Sequence, residues 1–144
     1  MIQIRNLLES KGFDIWSVHP DSTVYEALKM MAEKDIGALL VMKQGEVKGI
    51  FSERDYARKV ILKGKSSQNT TVRDIMTSAV IYLRAEQTVD ECMKVMSANH
   101  IRHLPILEEN ELIGIISIGD VVKAVIADQE FMIDQLESYI RQER

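Results

Sequence analysis

Two stretches of this chain set recognition chemistry at a fixed spacing: Ser52-Glu53-Arg54-Asp55 and Ser117-Ile118-Gly119-Asp120. Each follows a short apolar run, Gly49-Ile50-Phe51 in one case and Gly114-Ile115-Ile116 in the other. Each then leads into a segment of helical apolar period. Ser-x-x-Asp at such a junction reads as a helix start, with serine at the N-cap and aspartate three residues on. The unbonded N–H groups and partial positive charge of a helix start make a seat for a phosphate. An aspartate one turn in can accept hydrogen bonds from two vicinal hydroxyls, as on a ribose. The same residues also serve simply to cap a helix, and the two roles are compatible.

Further polar residues gather near these motifs. Arg54 and Arg58 are expected one turn apart at the start of the first helix. Positive charge there opposes the helix dipole by about 0.3 kcal/mol or more, which a bound phosphate would relieve. Two solvated arginines are the plain alternative. The second motif has Gly119 opposite Arg54 and Lys123 opposite Arg58, so the two sites are chemically unequal. Arg102-His103-Leu104-Pro105 falls at a strand start. Arg102 could fork onto a phosphate, in one cleft or the other, and His103 could hydrogen-bond a phosphate or ribose. The first copy carries Gly37 and Ala38 there. His100 and His103 lack further nearby ligands, so no metal site is expected. His19 reads as a surface residue. No Ser-His-Asp set, paired catalytic carboxylates or Walker loop is recognisable, which argues against an enzyme.

The elements that must position these residues come in duplicate. Residues 22–55 slide onto 87–120 without a gap, and twelve of the 34 positions are identical, too many for chance. The chain therefore holds two copies of one supersecondary unit. Each copy reads β-α-β-β-α, giving an α+β fold with two α-plus-β layered cores. In the first copy the pattern predicts a strand at Ile15–Val18, a helix opened by Thr23 and Glu26, and strands over 38–42 and 47–51 turned at Gln44-Gly45. A helix from Ser52 to Leu62, ended by Gly64, completes it. A short polar linker, Lys65–Thr70, and a helical turn at Val72–Met76 follow. The second copy repeats the order: a strand at Ala79–Tyr82, a helix from Thr88 to about Ala98, strands over 104–107 and 112–117 turned at Glu109-Asn110, and a helix from Gly119 to about Ala127.

Cys92 aligns with Ala27 on the paired helices and is expected in the core. Ile2, Ile4, Leu7 and Leu8 fit one face of a short N-terminal helix, either packed on the core or reaching out as a dimer arm. Phe131, Ile133, Leu136 and Ile140 fit a separate amphipathic C-terminal helix with no partner inside the repeats. The expected organisation is an extension at 1–13, repeats at 14–68 and 69–128, and the C-terminal helix at 129–144.

Composition narrows the class. The chain has 144 residues, 46% of them apolar, enough to bury a full core. A net charge of −4 argues against nucleic acid as the main partner. No apolar run reaches membrane-spanning length, and one cysteine permits no internal disulfide, which fits a cytoplasmic setting.

The twin Gly-h-h-Ser-x-x-Asp motifs, the Thr-Val-x-Glu helix starts and Ile101-Arg102-His103-Leu104-Pro105-Ile106 together resemble the CBS domain, named after cystathionine β-synthase. The chain resembles a stand-alone tandem CBS pair, of a small bacterial and plant type, over roughly residues 14–128. The resemblance implies repeats packed about a pseudo-twofold axis with two clefts. It implies regulatory binding of an adenosine compound there: AMP, ADP, ATP, S-adenosylmethionine or NAD(H), with no metal required. By the same resemblance Asp55 and Asp120 hold ribose, and Ser52 and Ser117 lie on the phosphate side. The adenine is expected in an apolar slot by the opening strands, at Val18 and Val80, with Pro105 nearby. A homodimer that senses the energy or redox state of the cell and acts in trans on another protein is the implied role. A structural dimerisation module with non-functional clefts is the alternative.

Overall fold

The computed structural model describes residues 2–142; the outermost residues of the two flanking segments, Met1 and Glu143–Arg144, lie outside them. The elements in chain order are α1 (Ile4–Lys11), β1 (Ser17–Val18), α2 (Val24–Lys34), β2 (Ala38–Lys43), β3 (Glu46–Ser52) and α3 (Glu53–Lys59). After a 3-10 turn at Ile61–Lys63 come α4 (Val72–Ile75), β4 (Leu83–Arg84), α5 (Val89–Asn99), β5 (His103–Glu108), β6 (Glu111–Ser117) and α6 (Ile118–Gln142). The chain divides into two compact units. The first runs from Ile15 to Val80; the second joins the segment up to Asp14 with everything from Ile81 onward.

Each unit holds one three-stranded sheet, ordered β1-β2-β3 in the first and β4-β5-β6 in the second. The outer pairs are hairpins and the opening strands join in parallel. Both hairpins turn on two residues of positive φ, Gln44 and Gly45 (52° and 79°) and Glu109 and Asn110 (52° and 65°). That is the tight turn whose twist matches the flanking strands. Both central strands are buried on two faces, as β2 shows with Ala38, Leu39, Leu40 and Val41.

One strand boundary differs from the sequence pattern for a covalent reason. In the first unit Leu40 N–H donates to Trp16 O and Ser17 pairs with Leu40. Pro105 holds the equivalent place in β5 and has no N–H to give. The second opening strand therefore begins at Leu83, paired with Ile106, rather than at Ala79–Tyr82. Helix ends differ too. The first repeat's last helix stops at Lys59, and Val60 (φ −113°, ψ −71°), whose N–H still donates to Tyr56 O, leads into the 3-10 turn. The two helices expected after Ser117 are one, because nothing between Ala127 and Phe131 breaks a helix, and α6 runs 25 residues.

Two short helices, α1 and α4, complete the two cores. Ile4 and Leu8 of α1 are fully buried beside Leu104, Ile106 and Ile116, so α1 is a core helix of the second unit. Val72 and Ile75 of α4 fill the same place beside Phe51 and Val41. Each segment lies against the glycine that opens the recurring motif. A Cβ on Gly114 would stand 2.8 Å from Leu8 Cδ2; one on Gly49 would stand 2.7 Å from the Thr77 carbonyl oxygen and 2.8 Å from Met76 Sδ. A leucine methyl can move aside, whereas the Thr77 carbonyl is held by its neighbours, since Thr77 N–H and Ile50 N–H each donate to the other's carbonyl at 2.9 Å. Gly49→Ala is therefore expected to lower unfolding free energy by about 1–3 kcal/mol, and Gly114→Ala by less. Paired denaturation curves check this, and equal losses would show that the backbone bridge is not what fixes Gly49.

Candidate functional site

At the first motif the strand-to-helix turn closes by reciprocal capping. Asp55 N–H donates to Ser52 Oγ at 3.2 Å, and Ser52 N–H donates back to Asp55 Oδ2 at 3.0 Å. Ser52 Oγ–H also donates to Oδ2 at 3.1 Å. The other oxygen, Oδ1, accepts from Thr77 Oγ1 at 3.1 Å and meets Lys59 Nζ at 3.1 Å. Lys59 Nζ donates as well to Ile75 O, tying α3 to α4. Asp55 is buried, and both of its oxygens are engaged by the protein itself.

The second motif repeats the cap with a different cation. Asp120 N–H donates to Ser117 Oγ at 3.1 Å, and Ser117 N–H donates to Asp120 Oδ2 at 2.8 Å. The residue four beyond Asp120 is Ala124, so α6 offers no lysine where α3 has Lys59. Lys11 of α1 comes in its place, with Nζ 2.6 Å from Asp120 Oδ2 and a hydrogen bond to Ile115 O. The difference has a structural source. The helix α1 runs 8 residues and α4 only 4. On β3, the outer carbonyl of Ile50 is met by the Thr77 N–H after the short helix ends. On β6, the corresponding carbonyl of Ile115 is met by the ammonium carried on the second turn of α1. Burial alone would raise the Asp120 pKa, but the Lys11 hydrogen bond, the Ser117 N–H and the Lys11 charge outweigh it and hold the carboxyl below its ordinary range.

Other residues singled out by the sequence fall in different places. Arg54 is partly buried in the first turn of α3, while Arg58 lies in the last turn of that seven-residue helix beside Lys59. The two arginines stand one turn apart on α3, which ends at Lys59, sooner than the apolar period suggests. Positive charge at the last turn agrees with the helix dipole instead of opposing it. Arg102 is exposed, and its carbonyl accepts from Ile118 N–H at 2.8 Å, fixing the first turn of α6. Pro105 and Val18 are buried in β5 and β1; Val80 is partly buried just outside a strand. Gly119 has open space about its Cα apart from Ser117 Oγ, 3.6 Å from an added Cβ. Cys92 is fully buried, and burial pushes its thiol up to about 11. Among the described residues no group of three or more His, Cys, Asp or Glu could hold a metal ion, and no helix is long and apolar enough to cross a membrane.

Sequence reasoning missed Lys11, Lys59 and Thr77. The Asp55–Lys59 spacing of four on a helix was a readable signal. Lys11 and Thr77 gave none, since only the fold brings them to their aspartates.

His103 opens β5 opposite Ser117, close to Lys11 and Asp120. Burial first, then the positive charge of Lys11, push its pKa down to about 4; Asp120 pulls the other way, and Arg102 adds a lesser push down. A histidine whose folded pKa lies below its unfolded value must lose its proton to fold. Its contribution is intact above pH 6.5 and is lost as pH falls from there to about 4. At roughly 1.4 kcal/mol per unit the loss is on the order of 3 kcal/mol. His103→Gln should flatten that part of the stability profile, and urea titrations from pH 7 to 4 measure it; an unchanged slope would remove His103 as the cause.

The CBS-domain profile matches residues 9–62 and 72–127, the two repeats of the chain. A mitochondrial CBS domain-containing protein of Arabidopsis thaliana is 40% identical across 96% of this chain and 71% of its own length. A CBS-domain protein of Burkholderia ambifaria superposes with a TM-score of 0.85 at 49% identity, over 88% of this chain and 96% of its own. At the level of fold alone, a CBS domain pair solved in complex with methylthioadenosine and S-adenosyl-L-methionine superposes with a TM-score of 0.77 at 22% identity, over 89% of this chain and 98% of its own. With two repeats of β-α-β-β-α order, each closed by its own Ser-x-x-Asp turn, the chain belongs to the CBS-domain family as a tandem pair.

Proposed function

We propose that this chain is a regulatory module that binds adenosine nucleotides, AMP, ADP, ATP or NAD(H), at its Ser-x-x-Asp turns and acts in trans on a protein it regulates. The observation that carries the reading is Asp120: a half-buried carboxylate held in its charged form at the first turn of a 25-residue helix, with Ser117 beside it. A carboxylate has about four lone-pair positions, and the Ser117 N–H and Lys11 contacts both fall on Oδ2, so Asp120 keeps capacity to accept from ribose hydroxyls. The ligands of the distant CBS pair noted above, methylthioadenosine and S-adenosyl-L-methionine, share the adenosine group this reading requires. Arg54, Gly119, Arg102 and His103 belong to the phosphate side of the proposal; Val18, Val80 and Pro105 belong to its adenine side. Arg58, one turn beyond Arg54 on α3, belongs to the phosphate side as well. Asp120→Ala should cost on the order of 1.5–3 kcal/mol of AMP affinity while the chain stays folded. Calorimetry with a parallel thermal melt decides it, and unchanged affinity and stoichiometry would remove Asp120 from ribose binding.

A specific observation favours the second reading for the first unit. Both oxygens of Asp55 are engaged by Ser52, Thr77 and Lys59, as befits a purely structural cap. On that reading the chain is a dimerisation module whose first turn takes no ligand. Both readings include a homodimer in a reducing cytoplasmic compartment, with no metal, membrane, nucleic acid or catalysis involved. The reason for a dimer is α6, which exposes Ile126, Phe131, Ile133, Leu136 and Ile140 along its outer turns. Leaving that face in water is costly, and a second copy would cover it. A chain ended after Asp128 should sediment as a monomer where the full chain sediments as a dimer. A full-length monomer would refute the dimer, and an unaltered dimer after truncation would refute the part assigned to α6.

A further inference from the structure

We infer that Lys11, carried at the end of α1, sets the ligand specificity of the second unit by supplying a cation for the phosphate of the bound nucleotide. The inference rests on the reading of Asp120 as a ribose contact. Its ground is the geometry of α1. Leu8 seats this helix in the gap left by Gly114, and Ile4 and Leu8 are fully buried, so the backbone that carries Lys11 is fixed by the core. Arg5 anchors the same helix through ion pairs to Glu86, at 3.2 Å, and to Glu108.

From that base the Lys11 ammonium reaches the helix start of α6, 2.6 Å from Asp120 and hydrogen-bonded to Ile115 O. An ammonium has three N–H donors, and these two acceptors use two of them. The third is assigned to the ligand. The phosphate-bearing carbon of a ribose is only a few bonds from the hydroxyls that would donate to Asp120, and Nζ lies 2.6 Å from that carboxylate. Arg102 adds positive charge beside that of Lys11, and among the described residues the carboxylate in contact with Lys11 is Asp120. The first unit is built differently. Its Asp55 is met by a hydroxyl from the flanking segment, Thr77, and by a lysine of its own helix that also holds Ile75 O. The flanking segment of the second unit carries a charge where that of the first carries a neutral group.

The consequence is selectivity by charge at the part of the ligand that differs between AMP and methylthioadenosine. Both have adenine and ribose, but only AMP has a phosphate. The test is calorimetry with these two compounds on the full chain, in a background where Asp55→Asn silences the first unit. With Lys11 intact, AMP is expected to bind at least about tenfold more tightly than methylthioadenosine. Lys11→Met is expected to erase most of that ratio by weakening AMP far more than methylthioadenosine, and Lys11→Arg to restore it. Three results would overturn the inference while leaving the nucleotide reading in place: equal binding of the two compounds with Lys11 intact, an equal loss of both in Lys11→Met, or no loss of either. The first needs no variant at Lys11 and stands even if Lys11→Met does not fold. If neither compound binds with Lys11 intact and Asp55 restored, the nucleotide reading falls, and this inference with it.

Discussion

A carboxylate set in the first turn of a helix and largely shut from water needs compensation from donors and from a cation, and both units are arranged around that need. Helix N–H groups and the serine cap supply part of it. The remainder comes from an ammonium, Lys59 for Asp55 and Lys11 for Asp120. Removing either cation would leave charge stranded in a half-buried place, which costs more than an exposed pair returns. Each lysine also binds a backbone carbonyl of a neighbouring element, Ile115 on β6 and Ile75 on α4, so the cation that compensates the carboxylate ties two elements together as well.

The glycines opening the two motifs are the steric side of the same arrangement. A helix or extended segment can lie over β3 or β6 only where no Cβ stands in its way, and Gly49 and Gly114 provide that gap. What enters it differs. The short α4 ends early enough for the Thr77 backbone to bridge to Ile50. The longer α1 continues for another turn, fills the gap with Leu8 and satisfies the outer edge of β6 with a side chain. Two repeats of similar sequence therefore carry chemically different helix starts, because their flanking segments differ in length more than the repeats differ in type.

Much of this was legible in the sequence. The gap-free repeat determined the duplicated α+β fold, since apolar periods of about two and 3.6 repeat in the same order in both halves. The hairpin turns could be read from Gln44-Gly45 and Glu109-Asn110, and the reciprocal caps from Ser-x-x-Asp, because these are local and depend on a few adjacent residues. Even the later start of β4 was written in Pro105, through the N–H it lacks, although only its partner strand shows which bond is missing.

Other features were decided by tertiary structure. Whether Ile4 and Leu8 of α1 face the core or reach outward cannot be read from an amphipathic pattern, which specifies that a face is covered but not by what. Arg54 and Arg58 stand one turn apart as their spacing implied, and only the end of α3 at Lys59 makes Arg58 part of its last turn. Lys11 and Asp120 are 109 positions apart in the chain. No propensity or local spacing links them; they meet because burying Ile4 and Leu8 against β5 and β6 carries the next helical turn to the start of α6. The sequence by itself determined which polar side chains open each helix, since that depends on side-chain chemistry at fixed local spacing. Which cation faces each carboxylate was settled only when distant segments packed, because charge compensation acts through space and takes no account of order along the chain.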